Sequence, residues 1–293
     1  MQGRKATEKG GFMAADYIAS LMKSYQLVPY NKTDSNYFQD FKIQENNVKT
    51  VTFEIKKGAN ETMKLSPEID FEVTPITHSL KKEAEIVFLG YGLNNIKEGY
   101  DDYKNQNVKN KIVIVLSGFP SHRDTTSVVY QKFKNIYPDD NDLEETKIKN
   151  AVDKGAIALI IIELKNNFKP ENLKENAVFH SLENSKVVSI PIFRITQKMG
   201  SKILNEISIS EIEKKGTLKS QSSAKALKNT TCLFSIELQS KTLPARNVLG
   251  MIPGKDTTKT IIIGAHYDHL GIKNDSIYNG ADDNASGTSG MLA

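Results

Sequence analysis

Two short apolar runs in the middle of the chain place the strongest constraint on its fold. Residues 111–116 read KIVIVL and residues 158–162 read ALIII. Apolar runs without polar alternation are typical of strands that are buried on both faces of a sheet. A helical apolar pattern covers residues 143–154 between them, and Gly155 follows it. Strand, helix and strand in this order predict an α/β fold.

Further helices and strands are predicted on either side of this segment. Apolar residues at helical spacing predict an amphipathic helix over residues 12–25 and another helix over residues 198–207. Residues 214–231 are rich in Lys, Ser and Ala, which predicts a connector. The remaining predicted strands are residues 37–43, 51–57, 69–74, 86–89, 189–193, 233–238, 247–252 and 260–264.

The length of the chain indicates two domains. Its 293 residues suffice for about two domains of ~150 residues each. The strand and helix alternation is confined to the middle of the chain, so we expect an α/β domain at residues 77–230. This domain would be inserted into a second one that is formed by residues 1–76 and 231–293.

The charge balance argues against a nucleic-acid partner. Thirty-nine basic and thirty-five acidic residues leave a net charge of +4, and no dense block of lysine and arginine occurs. Such a chain lacks the basic stripe that nucleic-acid binding requires. The basic residues are nearly all lysine, and arginine occurs only at Arg4, Arg123, Arg194 and Arg246.

Other features limit the remaining classes of protein. No apolar run approaches the ~18 residues that span a bilayer, so we expect no transmembrane segment. The N-terminal residues include no apolar stretch of the kind that signal peptides carry. The single cysteine, Cys232, excludes an intrachain disulfide and a thiolate metal cluster.

The first motif with chemical content lies at residues 260–271, TIIIGAHYDHLG. A predicted strand ends in two small residues and then presents His266 and Asp268. Alternation along an extended backbone places these two side chains on the same side. A metal-bound histidine commonly donates its other ring N–H to a carboxylate, as Asp268 could provide. Taken alone, the motif is better explained by an ordinary surface histidine.

The second motif lies at residues 279–287, NGADDNASG. Asp282 and Asp283 stand in a loop of small residues before a predicted helix, where the helix dipole favours negative charge. Taken alone, these residues could simply cap the helix. A carboxylate can also bridge two cations, and two-metal hydrolases hold their ions ~3.5–4 Å apart. With His266, the loop therefore predicts half of a dinuclear metal site.

Together the two motifs resemble the zinc-ligand signatures of the M28 family of metallopeptidases, which consists largely of aminopeptidases. The resemblance implies that His266 binds one zinc ion and that Asp268 orients this histidine without binding the metal. It implies that Asp282 bridges two zinc ions and that Asp283 is its partner in a peptide bond that is often cis. His269 would line the site without binding metal.

The resemblance extends over nearly the whole chain. Residues 3–25 resemble the first helix of the family, and residues 245–254 resemble its strand before the histidine. Residues 108–115, 151–156 and 189–193 resemble recurring pieces of a protease-associated (PA) domain. The implied fold is a partial zinc-exopeptidase-like catalytic domain, a mixed-sheet α/β sandwich, with an inserted α/β PA domain. Residues 1–76 and 231–293 would form the peptidase domain, and residues 77–230 the PA domain.

The resemblance implies a zinc-dependent aminopeptidase that removes N-terminal residues from peptides with the help of two zinc ions. It implies a secreted or periplasmic protein, although the chain shows no signal peptide. The other ligands and the glutamate general base of such an enzyme are expected downstream of residue 293. We therefore expect this chain to be the N-terminal part of an enzyme and to be inactive alone. Its oligomeric state is left open.

Two alternatives also fit the sequence. The first is a binding or scaffold protein that keeps the peptidase fold without catalysis, for which the PA domain would provide an interaction surface. The second is a relative that holds a single zinc ion and cyclises N-terminal glutamine.

Overall fold

The computed structural model describes the chain except for residues 1, 31–32, 34, 75, 96–98, 166–167, 171–177, 183–189, 206, 215–224 and 257. The helices are α1 (Lys9–Ser24), α2 (Val128–Ile136), α3 (Asp140–Asp153), α4 (Gln197–Leu204), α5 (Ile209–Lys214) and α6 (Ser286–Leu292). Within the described ranges, no helix combines the length and apolar character that crossing a bilayer requires.

The strands differ widely in length. They are β1 (Val28–Pro29), β2 (Phe38–Lys57), β3 (Glu61–Leu65), β4 (Phe71–Val73), β5 (Leu80–Phe88), β6 (Asn94–Asn95), β7 (Tyr100–Asp101), β8 (Ile112–Leu116), β9 (Ala158–Glu163), β10 (Val178–Leu182), β11 (Ile192–Thr196), β12 (Lys225–Val248), β13 (Gly250–Met251), β14 (Gly271–Lys273) and β15 (Ser276–Tyr278).

The largest sheet is mixed, and its centre is parallel. Its strand order is β10-β2-β12-β5-β8-β9-β11-β4, and β3 pairs with β2. Strands β5, β8, β9 and β11 run parallel to one another. Strand β12 pairs antiparallel with β5, and β4 pairs antiparallel with β11. The predicted α/β class is therefore confirmed.

The chain divides into two compact units. The first unit comprises Met1–Glu45, His180–Ser185 and Ser240–Ala293, and the second comprises Asn46–Phe179 and Lys186–Gln239. One division falls within β2 and another within β12, so each of these long strands belongs partly to both units. The domain limits inferred from the sequence, at residues 76/77 and 230/231, lie elsewhere and stay a prediction.

The core of the second unit follows directly from the two apolar runs. Every residue of β8 and β9 is buried. In β8, Ile112, Ile114 and Leu116 belong to one hydrophobic cluster, whereas Val113 and Val115 belong to another. Successive side chains of a strand point to opposite faces, so both faces of the sheet are covered. The prediction of strands buried on two faces is confirmed.

The helices of the second unit begin at side chains that cap them. The Ser127 hydroxyl accepts a hydrogen bond from the Tyr130 N–H at 3.0 Å, and α2 starts at the next residue. The Asp139 carboxylate accepts from the Asn141 N–H at 2.6 Å at the start of α3. Each acceptor satisfies a backbone donor that has no partner within the helix. Helix α2 was not predicted, because its nine residues bury only Phe133.

Two strand predictions need correction. Residues 37–43 and 51–57 belong to one continuous strand, β2, because residues 44–50 between them are also paired. Residues 260–264 form no strand, and Ile261, Ile262 and Ile263 are 90%, 88% and 75% exposed. An extended segment becomes a strand only when a neighbour pairs with it. Among the described residues, none pairs with this segment.

The first unit is organised around α1. The helix buries Ala14, Ala15 and Ile18 on one face, as its apolar spacing predicts. Ile18 also belongs to a small apolar cluster with Met22 and Tyr37. The cluster extends to partly buried residues on other elements of the unit, which are Leu27, Phe38, Val248, Tyr267, Met291 and Leu292.

Arg246 joins α1 to the strands of the first unit. Its Nε and Nη2 atoms donate to the two carboxylate oxygens of Asp40 at 2.6 and 3.2 Å. Its guanidinium also lies 4.0 Å from the centre of the Phe38 ring and 5.3 Å from that of Phe12. Phe12 is part of α1. A planar cation that stacks on rings while it binds a carboxylate is a contact that lysine cannot reproduce.

The second unit buries two ionisable side chains. Lys147 is 2% exposed, and its Nζ donates to the carbonyl oxygens of Leu116 and Gly118, each at 2.6 Å. Burial lowers the pKa of this lysine. Asp102 is 3% exposed and accepts from the N–H groups of Tyr91 and Leu93 at 3.1 and 3.2 Å. Burial raises the pKa of Asp102 to about 7 and outweighs these hydrogen bonds, which lower it.

The raised pKa of Asp102 predicts a pH dependence of stability. Between about pH 4 and pH 7 the folded state keeps a proton on Asp102 that the unfolded state has lost, so stability falls as pH rises through this range. We expect Asp102→Asn to remove this fall, of about 4 kcal/mol at most. The asparagine oxygen can still accept from the same two N–H groups.

The measurement is urea unfolding of the whole chain, equilibrated at several pH values. The fraction of molecules in which β8 is unfolded is then read with a brief hydrogen-exchange pulse, always given at the same pH. Wild type should lose more stability than Asp102→Asn between pH 4 and pH 7. Parallel pH profiles for the two proteins would contradict the prediction.

Candidate active site

Both sequence motifs lie in the first unit. We call residues 266–271 the histidine segment and residues 279–285 the aspartate loop. In the histidine segment, the His266 side chain is 55% exposed, and its Nδ1 lies 3.5 Å from Oδ1 of Asp268. The same Nδ1 lies 3.3 Å from the backbone oxygen of Asp268. Asp268 therefore stands on the Nδ1 side of the ring, as the alternation of the motif predicts, and Nε2 faces the opposite way.

Tyr267 explains why His266 and Asp268 share a side. Its ring packs against the apolar cluster of the first unit, and its hydroxyl donates to the Arg246 backbone oxygen. Burial, reinforced by the negative charge of Asp268, raises the pKa of Tyr267 to about 12, so the hydroxyl keeps its proton. With Tyr267 turned inward, its two neighbours in the extended chain must point outward.

The aspartate loop brings a carboxylate to the other side of the imidazole. Oδ1 of Asp283 lies 3.1 Å from Nε2 of His266, and Oδ2 of Asp283 lies 3.8 Å from Nδ1 of His269. The carboxylate of Asp282 instead accepts from the Ser286 hydroxyl at 3.4 Å. The structure thus places Asp283, rather than Asp282, next to His266. The ligand roles of His266 and Asp282 stay predictions.

The backbone of the aspartate loop is irregular. The peptide bond between Asp283 and Asn284 is cis, whereas the cis bond that the resemblance implies joins Asp282 to Asp283. Gly280 has a φ of +56°, and a Cβ there would overlap the Asp283 carbonyl oxygen and the His269 ring. Only glycine fits this position, so the small residues of the motif are needed for close approach of the chain.

The side chains of the two motifs are of the types that bind zinc, but too few of them lie together to hold an ion. Imidazole and carboxylate are groups that zinc takes as ligands. Asp268 and Asp283 lie beside opposite nitrogens of the His266 ring, so one ion cannot contact all three. In the described part of the chain, no three His, Cys, Asp or Glu side chains are placed to hold a metal ion. The two motifs alone therefore offer fewer ligands than a protein zinc site uses.

Arg4 is a residue of this site that sequence reasoning missed. Its Nε donates to the Tyr267 carbonyl oxygen at 2.7 Å, and its Nη2 donates to that of Gly280 at 2.8 Å. Its Nη1 donates to the carbonyl oxygen of Asn279. One side chain therefore holds both the histidine segment and the aspartate loop. The only available signal was that arginine is so rare in a chain rich in lysine.

Thr288, at the start of α6, provides a second connection. Its hydroxyl donates to the His266 carbonyl oxygen at 3.0 Å, and the residue is 7% exposed. This bond ties the histidine segment to the helix that follows the aspartate loop. The sequence motif ends at Gly287, so it did not include this residue.

Comparisons with solved structures find several peptidases. An aminopeptidase from Aneurinibacillus sp. strain AM-1 is 20% identical, with 99% of this chain and 53% of that chain covered and a TM-score of 0.44. BSAP, a zinc aminopeptidase from Bacillus subtilis, is 19% identical, with 99% and 52% covered and a TM-score of 0.34. A peptidase M28 precursor from Shewanella amazonensis SB2B is 14% identical, with 85% and 47% covered and a TM-score of 0.31. The chain thus spans about half the length of these structures.

Two family models match separate parts of the chain. No curated protein sequence matches it. The model of peptidase family M28 matches residues 247–293, which include the histidine segment and the aspartate loop. The model of the PA domain matches residues 82–203, which include β5, β8, β9 and β11. Residues 247–293 are thus similar to peptidase family M28, and residues 82–203 are similar to a PA domain.

Proposed function

We propose that this chain forms part of a zinc-dependent aminopeptidase, which removes N-terminal residues from peptides. The observation that carries the proposal is the placement of His266 between two carboxylates. Asp268 stands on the Nδ1 side of the ring, and the aspartate loop faces Nε2. This arrangement leaves one ring nitrogen to be oriented by a carboxylate and the other directed at a loop of acidic residues.

Within this proposal, each residue has a distinct task. Asp268 accepts the Nδ1 proton of His266, which fixes the tautomer that offers Nε2 as the ligand atom. Asp282 supplies a carboxylate with two oxygens, so it can serve two ions at once. Two bound zinc ions would polarise the scissile carbonyl and activate a water molecule. Asp283 shares its charge between His266 and His269 and holds the loop against both rings.

The remaining machinery is not assigned to any described residue. A catalytic zinc ion takes about three protein ligands, and the two motifs offer fewer than that for each ion. The proposal therefore concerns a longer protein in which this chain and further ligands act together. Export of that protein from the cell belongs to the same proposal and is supported by the family resemblance alone.

Zinc binding by the chain tests the assignment of His266. We expect added Zn²⁺ to shift the His266 ring resonances in an NMR titration, because Nε2 is the atom offered to the metal. His266→Ala should weaken zinc binding by about tenfold or more. His78→Ala is the matched control, because His78 is exposed and contacts Thr77, outside both motifs. Equal zinc affinity in the two variants would contradict the proposal and favour a binding protein without metal chemistry.

The same titration separates the two aspartates of the loop. We expect Asp282→Asn to weaken zinc binding more than Asp283→Asn does, because the proposal makes Asp282 the ligand. Asparagine keeps the size of the side chain and removes its charge, so the two variants differ only in position. The reverse order would assign the ligand role to Asp283, which is the carboxylate that the structure places beside His266.

We expect the 293-residue chain to show no turnover of aminoacyl p-nitroanilides, with or without added Zn²⁺. The physical reason is that its described residues do not gather three metal ligands at one point. The release of nitroaniline is followed by absorbance, with an active aminopeptidase as the positive control. Clear zinc-dependent turnover that His266→Ala abolishes would show that this prediction is wrong.

A further inference from the structure

The N-terminal residues of the first unit pack closely on the histidine segment. Gly3 is buried, and a Cβ at this position would overlap the backbone oxygen of Gly271. The Gly3 carbonyl oxygen accepts from the Gly271 N–H at 3.0 Å, and the Arg4 carbonyl oxygen accepts from the His269 N–H at 3.1 Å. Residues 3 and 4 thus run alongside residues 269–271 and place the Arg4 side chain between the two motifs.

The guanidinium of Arg4 suits this place because of its shape. Three nitrogens in one plane each donate to a different carbonyl oxygen, on Tyr267, Asn279 and Gly280. Hydrogen bonds from a cation are about twice as strong as those between neutral groups. A lysine at this position could present its donors from one nitrogen only, so it could not hold three separated oxygens in the same plane.

Other contacts also hold these segments, because the Asp283 carboxylate lies beside His266 and His269 and Gly271 pairs with Tyr278. Residues 260–270 have no strand neighbour in the described part of the chain. Within the aspartate loop, the Ala285 N–H donates to the Gly280 oxygen at 3.2 Å, which closes the loop on itself. The Thr288 hydroxyl reaches the His266 oxygen at 3.0 Å from the far side of the loop. Arg4 lies outside both segments, and its one guanidinium binds backbone oxygens of Tyr267 in the histidine segment and of Asn279 and Gly280 in the aspartate loop.

We propose that Arg4 is a positioning residue of the candidate active site. Its guanidinium holds the backbones of the histidine segment and the aspartate loop in one arrangement, so that His266 faces the aspartates before a metal ion binds. The effect of Arg4 on zinc binding rests on the proposed function. Its effect on the backbones of the histidine segment and the aspartate loop is independent of that function.

The first test measures hydrogen exchange in the chain without metal. We expect Arg4→Lys and Arg4→Gln each to speed exchange of the His269, Gly271 and Ala285 amides about tenfold or more. Lys5→Gln is the matched control for charge, because it removes the positive charge that pairs with Glu8 and keeps the side-chain carbons that lie beside Gly271. Amides of α1 and β8 should exchange as in wild type, which shows that the variants are folded. Unchanged exchange at Ala285 in both Arg4 variants would overturn the inference.

Thr288→Val separates Arg4 from a general loosening of the site. Valine keeps the size of threonine and removes the hydroxyl that binds the His266 oxygen. We expect this variant to speed exchange at His269 and to leave Ala285 unchanged, because the hydrogen bond that it removes ends on the His266 oxygen and not at Gly280. If Thr288→Val and the Arg4 variants loosen the same amides equally, Arg4 has no special positioning role.

The second test uses zinc affinity to separate position from charge. Arg4 carries a positive charge near a proposed cation site, so its removal in Arg4→Gln would strengthen zinc binding if charge alone mattered. Positioning predicts the opposite, namely a loss of about tenfold in both Arg4→Gln and Arg4→Lys. Tighter binding in Arg4→Gln would overturn the inference. If wild type itself binds no zinc, the proposed function fails, and the exchange measurement alone decides the role of Arg4.

Discussion

The structure depends on guanidinium groups that each hold several acceptors at once. Arg4 binds three backbone oxygens, and Arg246 binds Asp40 through two nitrogens while it stacks on Phe38. Arg194 binds Glu163 at 2.7 Å, lies 3.6 Å from Glu72 and also contacts Glu144. The lysine pairs are simpler. Lys56–Glu83 and Lys64–Glu54 join single atoms near the surface, where such a pair contributes about 0–1 kcal/mol.

The difference between lysine and arginine explains where the chain has its few arginines. A lysine pair at the surface loses most of its attraction to solvent and to side-chain entropy. The planar guanidinium of arginine loses less side-chain entropy for each hydrogen bond that it forms. It can also donate to backbone oxygens that are not paired within a helix or sheet. Lys147 shows the exception. It is fully enclosed and reaches only two carbonyl oxygens, and burial lowers its pKa as a result.

The sequence correctly predicted strands whose apolar side chains are covered by neighbouring elements of the same unit. The run at residues 158–162 became a central strand because neighbouring strands and helices of the same unit cover it. The run at residues 260–264 has a similar composition and forms no strand. The composition of a segment indicates how favourable its burial would be. It does not indicate whether another strand is present to pair with it. For the same reason, the pairing of residues 44–50 within β2 could not be predicted from their polar side chains.

The candidate site was predictable in its residue types and not in its contacts. Alternation along the chain correctly placed His266 and Asp268 on one side, because that argument needs only local geometry. The choice between Asp282 and Asp283 depends on the path of an irregular loop, to which periodicity does not apply. The contacts of Arg4 join residues more than 260 positions apart in the chain. No local pattern records a contact of that kind.

The histidine segment illustrates how a site can be held without a sheet. A paired strand would satisfy its backbone groups in regular steps and would fix its direction. Here Tyr267 anchors one face in the apolar cluster, while Arg4 and Thr288 bind carbonyl oxygens from two different elements. Each net hydrogen bond contributes only about 1 kcal/mol, so these contacts define a position without making it rigid. A segment held in this way opens more readily than β8 or β9 does, because far less apolar surface covers it. The geometry of His266 is therefore set by a few long-range side-chain bonds, and Arg4 makes the largest number of them.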